Sequence, residues 1–368
     1  MSIPLFKPHF SESCRRRIVN DVDGILASGK LMMGEHLKKL ESRFSEFIGM
    51  SRAVSVNTCT TALTICLKHF GAESGEVLVP SGSFITSVSS IIFAGGKPVL
   101  VDMDPETLSF DLEDLERKTT SKTRGIVWVH LCGNISRDYE KIIDFAKRKG
   151  LFLIEDCAHA LGSRVNGRMA GSLADAACFS FYPTKIITSG TGGMITTNDP
   201  GLAKYAEKMR IFCRDPENPE ITCMGNDWFM DEIRCCVARH HLAELPAQLE
   251  RRAEIGAFYE SRLAGAKGIS LIRRPEGHVS SHYQFPVFTA EGVDHGALIK
   301  AMKEKHGVQV KTIYRPTHEE VIFRHLDDGT LEKTSQTLNS SVCLPVFAEI
   351  TDAELEQVAK ALLDELQT

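Results

Sequence analysis

Hydrophobic positions along the chain fall into three successive regimes. In the first fifty residues they recur every three or four places: Ile18, Val22, Ile25 and Leu26 share one face before Ser28-Gly29, and Leu37, Leu40, Phe44 and Phe47 share another after Gly34. That period predicts two amphipathic helices. From there to about residue 200, short apolar runs at 77–80, 98–102, 125–130, 151–156 and 176–180 alternate with helix-length segments. Runs without polar alternation predict strands covered on both faces, as in a mainly parallel α/β sheet. After Asn198-Asp199-Pro200 the helical period returns, in a long stretch over 230–263 interrupted near Pro246. The last hundred residues predict extended pieces at 282–288 and 308–314, then a closing helix from Thr351 or Asp352 through Leu366.

A chain of 368 residues exceeds what one hydrophobic core usually serves. The expected division is a large domain over residues 1–245, N-terminal helices included, and a smaller α+β domain over residues 246–368. With 43% hydrophobic and 25% charged residues, the composition is that of an ordinary globular protein. A net charge of -5 argues against nucleic acid or an anionic membrane as partner, since either favours a concentrated basic field. No apolar run reaches the roughly 18 residues that cross a bilayer, and the N-terminus lacks the unbroken apolar stretch of a secretory signal. The 11 cysteines include no CxxC pair and keep no regular spacing. Neither a disulfide framework nor a metal site is therefore expected, and a reducing cytoplasm is the expected location.

Ligands of a parallel sheet gather beyond the carboxyl ends of its strands, so the polar residues closing the apolar runs carry the chemistry. Asp156 closes one run, in Glu155-Asp156-Cys157-Ala158-His159. A carboxylate there must be paired or hydrogen-bonded, and a protonated pyridine nitrogen is one partner; a helix cap or a fold ion pair is another. Ser180 and Lys185 follow a second run and precede Gly190-Thr191-Gly192-Gly193. Desolvation of such a lysine frees its amine for addition to a carbonyl. The run Val56-Asn57-Thr58-Cys59-Thr60-Thr61 opens a helix, where hydroxyls and free N–H groups suit a phosphate ester as well as a plain cap. Phe84 could stack on a planar ring or serve as core.

In their order and spacing these segments resemble the DegT/DnrJ/EryC1/StrS family of sugar aminotransferases, from Leu26-Ala27-Ser28-Gly29 to Leu344-Pro345-Val346-Phe347, with the block 155–198 the most specific. The resemblance implies fold type I of the pyridoxal 5'-phosphate (PLP)-dependent transferases, aspartate aminotransferase-like. In that fold a large domain carries a mainly parallel mixed sheet, and the enzyme is a homodimer with shared active sites. It implies Lys185 as the Schiff-base lysine and Asp156 as the partner of the pyridine nitrogen. His159 would lie near the cofactor's 3-hydroxyl, Phe84 would stack on its ring, and Cys59, Thr60 and Ser180 would bind its phosphate. The implied reaction is ping-pong transfer of an amino group from glutamate or glutamine to a keto sugar, nucleotide-linked or a related keto-polyol. Tyr314 and His318 resemble a segment near the sugar site.

The sequence departs from the family pattern at several places. Thr58-Cys59-Thr60 replaces Ser-Gly-Thr, and Thr191 stands where an acid is frequent. Gly225-Asn226-Asp227-Trp228-Phe229-Met230 replaces Gly-x-Asn-x-Arg-Met, so Asn226 or Asp227 would face the partner's phosphate, and phenylalanine stands for arginine. Lys311 and Arg315 could meet a diphosphate or only solvent. Two alternatives share the scaffold: a PLP-dependent sugar dehydratase, in which histidine replaces the lysine, and a PLP-binding regulatory protein without turnover.

Overall fold

The computed structural model describes residues 2–215 and 220–366. Seven strands form the central sheet: β1 (Arg52–Val56), β2 (Glu76–Pro80), β3 (Lys97–Val101), β4 (Thr123–Val129), β5 (Phe152–Asp156), β6 (Ala176–Ser180) and β7 (Gly193–Thr197), in the order β1-β7-β6-β5-β4-β2-β3. β7 runs antiparallel to both neighbours and every other pair is parallel. The five apolar runs of the sequence are β2 to β6. β1 and β7 lie outside them because hydroxylated residues, Ser55, Thr196 and Thr197, interrupt their buried runs. Each hydroxyl has a partner: Ser55 donates to Glu41, Thr196 to the Gly171 carbonyl and Thr197 to the Asp175 carbonyl.

Helices cover both faces. α1 (Glu12–Ser28) and α2 (Glu35–Ile48) start the chain. α3 (Cys59–His69), α4 (Ile85–Phe93), α5 (Leu112–Lys118), α6 (Tyr139–Lys149) and α7 (Pro200–Met209) alternate with the strands. α8 (Glu232–Ala243) leads into α9 (Leu245–Leu263); the expected break is at Glu244, with Pro246 in the first turn of α9, where a missing N–H costs nothing. Leu40 and Phe44 of α2, Ile142 of α6 and Ala238 of α8 share one core, and the buried sides of α3, α4 and α7 share a second.

A third core joins Ile255 and Tyr259 of α9 to a small antiparallel sheet, β8 (Ile269–Leu271), β9 (Phe285–Thr289) and β10 (Ser341–Leu344). It also takes in α10 (His295–Glu304) and α12 (Asp352–Leu366), while α11 (Glu332–Asn339) packs beside Met103. Thr351 opens α12 with a capping box, accepting from the Glu354 N–H while Glu354 accepts from its own. The extended piece at 308–314 forms only isolated bridges, Val308 with Ile3 and Lys311 with Cys343. Ile3 thereby enters the third core, and Leu5 and Phe6 lie along the seam between the cores.

Two buried carboxylates fasten the frame. Glu232 accepts from the N–H groups of Gly34, His36 and Leu37 at 2.9–3.0 Å and caps α2, whose own cap residue is a glycine. A Cβ at Gly34 would lie 2.5 Å from a Glu232 oxygen, which explains the glycine. Glu155 accepts from His130 and from the N–H groups of Gly171, Leu173 and Ala174. Cys213 and Cys223 form a disulfide with Cα atoms 5.7 Å apart, and the nine other cysteines are free. Against the expectation from spacing, the turn after α7 folds back and brings this one pair together.

Candidate active site

Register puts the chemistry at one end of the sheet. Asp156 ends β5 opposite Val129 and Cys178, and Ser180 ends β6 opposite Gly193. Asp156 accepts from Ser87 of α4 at 2.7 Å and from the Ala158 N–H at 3.1 Å, with the Cys59 thiol 4.0 Å away. Burial still raises its pKa, because these donors, with the more distant charge of Lys185, offset only part of the desolvation. A cationic N–H at this carboxylate would complete the compensation.

Lys185 stands in the loop between β6 and β7, where its N–H closes a turn on the Tyr182 carbonyl. Its Nζ lies 4.4 Å from the centre of the Tyr283 ring. Burial lowers its pKa to about 8, opposed by the nearby Cys59 and Asp156. His159 lies in the same narrow cavity as Lys185, Ser180 and Tyr283. Its Nδ1 accepts from the Cys132 N–H at 3.2 Å, so Nε2 carries the proton and donates to the Tyr314 oxygen at 2.8 Å. Burial, reinforced by Lys185 and Lys311, holds the imidazole neutral by lowering its pKa. The Tyr314 ring reaches Phe84, 5.2 Å away and half exposed at the start of α4.

Thr58 caps α3 by accepting from the Thr61 N–H, which leaves the N–H groups of Cys59 and Thr60 at the open helix start. Gly193 lets β7 pass close by, since a Cβ there would lie 2.4 Å from the Thr58 backbone. Thr191 donates to the Asn57 carbonyl, a bond no ionised carboxylate could make.

Lys185, Asp156, His159, Ser180, Cys59, Tyr314 and Phe84 are thus linked around one centre, with Thr60 one place along α3. His318 is buried elsewhere: Ser81 bonds its Nδ1 at 2.6 Å and Ser335 its Nε2 at 3.0 Å, so both ring nitrogens brace the fold. Asn226 is exposed, with its side-chain oxygen accepting from the Asp227 N–H. Tyr283 and Ser87 escaped the sequence reading. A serine on the buried face of α4 was the available signal for Ser87, whereas Tyr283 reaches the site only through the chain reversal before β9.

A sheet of this topology, with helices on both faces and a lysine–carboxylate pair beyond its strand ends, is fold type I of the pyridoxal-phosphate-dependent transferases. The residues present fit that cofactor: a buried carboxylate short of a cation, a lysine with lowered pKa and an open helix start converge. The chain belongs to the DegT/DnrJ/EryC1/StrS aminotransferase family, whose model matches residues 12–363. It is similar to the GDP-perosamine synthase of Caulobacter vibrioides, with 33% identity over 337 residues and 90% of each chain covered. It is also 30% identical to the pleiotropic regulatory protein of Geobacillus stearothermophilus, covering 96% of this chain and 95% of that one. Among solved structures, the aminotransferase TlmJ of Streptoalloteichus hindustanus superposes with a TM-score of 0.92 at 29% identity, covering 100% of this chain and 99% of that one.

Proposed function

We propose that this aminotransferase uses pyridoxal 5'-phosphate to move an amino group from glutamate or glutamine to the keto group of a sugar, nucleotide-linked or a related keto-polyol. It does so in two half-reactions, as a cytoplasmic homodimer. The observation that carries the proposal is the Lys185 amine, with pKa lowered to about 8, held beside the buried Asp156. The Caulobacter relative, named for a GDP-linked product, supports a nucleotide sugar as acceptor. No helix among the described residues is long and apolar enough to cross a membrane.

When bound, the cofactor supplies a ring that takes up electrons from the reacting carbon. Lys185 would hold it covalently through Nζ. The free Lys185 amine would serve as general base and then acid, moving the proton at the donor's α-carbon. Asp156 keeps the ring nitrogen protonated, with Ser87 fixing the carboxylate's orientation. Phe84 would stack on the ring, and neutral His159 would lie near the 3-hydroxyl. Ser180, Cys59 and Thr60 offer donors to the phosphate, and Asn226 of one subunit would add to the phosphate site of the other. Tyr314, oriented by His159, and His318 were the residues expected near the sugar. Only Tyr314 stands at the centre, and it is the one we propose to contact substrate.

Borohydride reduction of the holoenzyme followed by peptide mapping tests the assignment, with the expected label on Lys185. A label elsewhere, or wild-type turnover by Lys185→Ala, would overturn it. Product analysis with keto sugars separates amination from dehydration. If the protein binds the cofactor and no amino donor converts it, the reading as a non-catalytic regulatory protein gains.

A further inference from the structure

Lys311 lies on the segment that also carries Tyr314, tied to β10 by the bond from the Cys343 N–H to the Lys311 carbonyl. Its Nζ stands 5.2 Å from the Phe6 ring centre and 5.7 Å from that of Tyr314. Among the described residues no carboxylate lies within ion-pair distance of it, although it is half-buried. Two aromatic faces attract an ammonium but do not neutralise it. The next cation along the chain, Arg315, is exposed and faces Glu319 at 3.6 Å. Phe229 offers no charge where the family pattern has arginine.

We infer that Lys311 is the anion-recognition residue of this site and takes the carboxylate of the amino donor. The inference rests on the aminotransferase reading above. Phe6 stacks on Tyr283 at 5.6 Å, and Tyr283 carries Lys185 on its ring, so the two ammonium groups share one aromatic wall. Beyond the dominant effect of burial, the charge of Lys311 acts on both Lys185 and His159, which places it beside the reacting centre. The chemistry then selects the anion. A donor amino acid bears its carboxylate one bond from the carbon that exchanges a proton with Lys185, whereas the phosphates of a nucleotide sugar lie several bonds from the keto carbon. A cation on the same aromatic wall as Lys185 is placed to meet the carboxylate.

Single-turnover conversion of the holoenzyme by L-glutamate tests the inference, with calorimetric titration of GDP as the second arm. Loss of a charge-assisted bond in Lys311→Met should raise the half-saturating glutamate concentration by about 10- to 100-fold. GDP affinity should stay unchanged, and Lys311→Arg should restore glutamate saturation to within about fivefold of wild type. Unchanged glutamate saturation in Lys311→Met overturns the inference, as does weakened GDP binding with glutamate unaffected, which would assign the lysine to phosphate. A wild-type holoenzyme inert to glutamate and glutamine overturns the parent reading itself, which keeps the two failures apart.

Discussion

The environment that frees the Lys185 amine also destabilises the cofactor-free fold. Its pKa is lowered by burial from 10.5 to about 8, so below pH 8 the folded protein holds an ammonium the unfolded chain would rather keep in water. Between about pH 8 and 10.5 the unfolded state binds more protons, and stability rises with pH across that window. Lys185→Met should therefore stabilise the apoprotein by roughly 1–3 kcal/mol at pH 7, with the gain fading toward pH 10.5. Urea unfolding at several pH values measures this. Asp156→Asn keeps the shape and loses the charge; cofactor should still bind, while single-turnover conversion by glutamate falls by about 10²- to 10⁴-fold. Asp156 and Lys185 were legible because each polar side chain ends or follows an apolar strand. His318 misled, since Ser81 and Ser335 are 237 and 17 residues away and no local pattern announces them.

At the scale of elements, the sheet was readable where strands are wholly apolar and hidden where hydroxyls replace methyls, as in β1 and β7. Those two strands matter, because they hold Gly193 against the start of α3. The carboxylate fastenings were equally invisible: Glu232 sits in the first turn of α8 yet serves α2, nearly two hundred residues earlier. Removing it leaves three N–H groups without their acceptor. Glu232→Ala should cost roughly 2–4 kcal/mol in denaturant unfolding, and Gly34→Ala should be comparably harmful because the new methyl meets the same carboxylate. An unchanged midpoint for Glu232→Ala would show that water replaces the cap.

At the scale of the molecule, length alone leads to the expectation of a large and a small domain, and we propose that they join where α8 meets α9. Exposed apolar side chains cluster along α1 and the turn after it, with Val19, Leu26, Leu31 and Met32 each more than 40% exposed. We propose that this patch is the contact surface of the homodimer. Leu26→Asp combined with Leu31→Asp should shift the proposed dimer toward monomer in sedimentation velocity, with activity falling in parallel.

Ile3 pairs with Val308, and Phe6 lies against both Tyr283 and Lys311. Synthesis delivers Ile3 and Phe6 long before Val308 and Lys311, so these contacts wait for the later segment. That wall of the cavity is complete only once both stretches of chain are present.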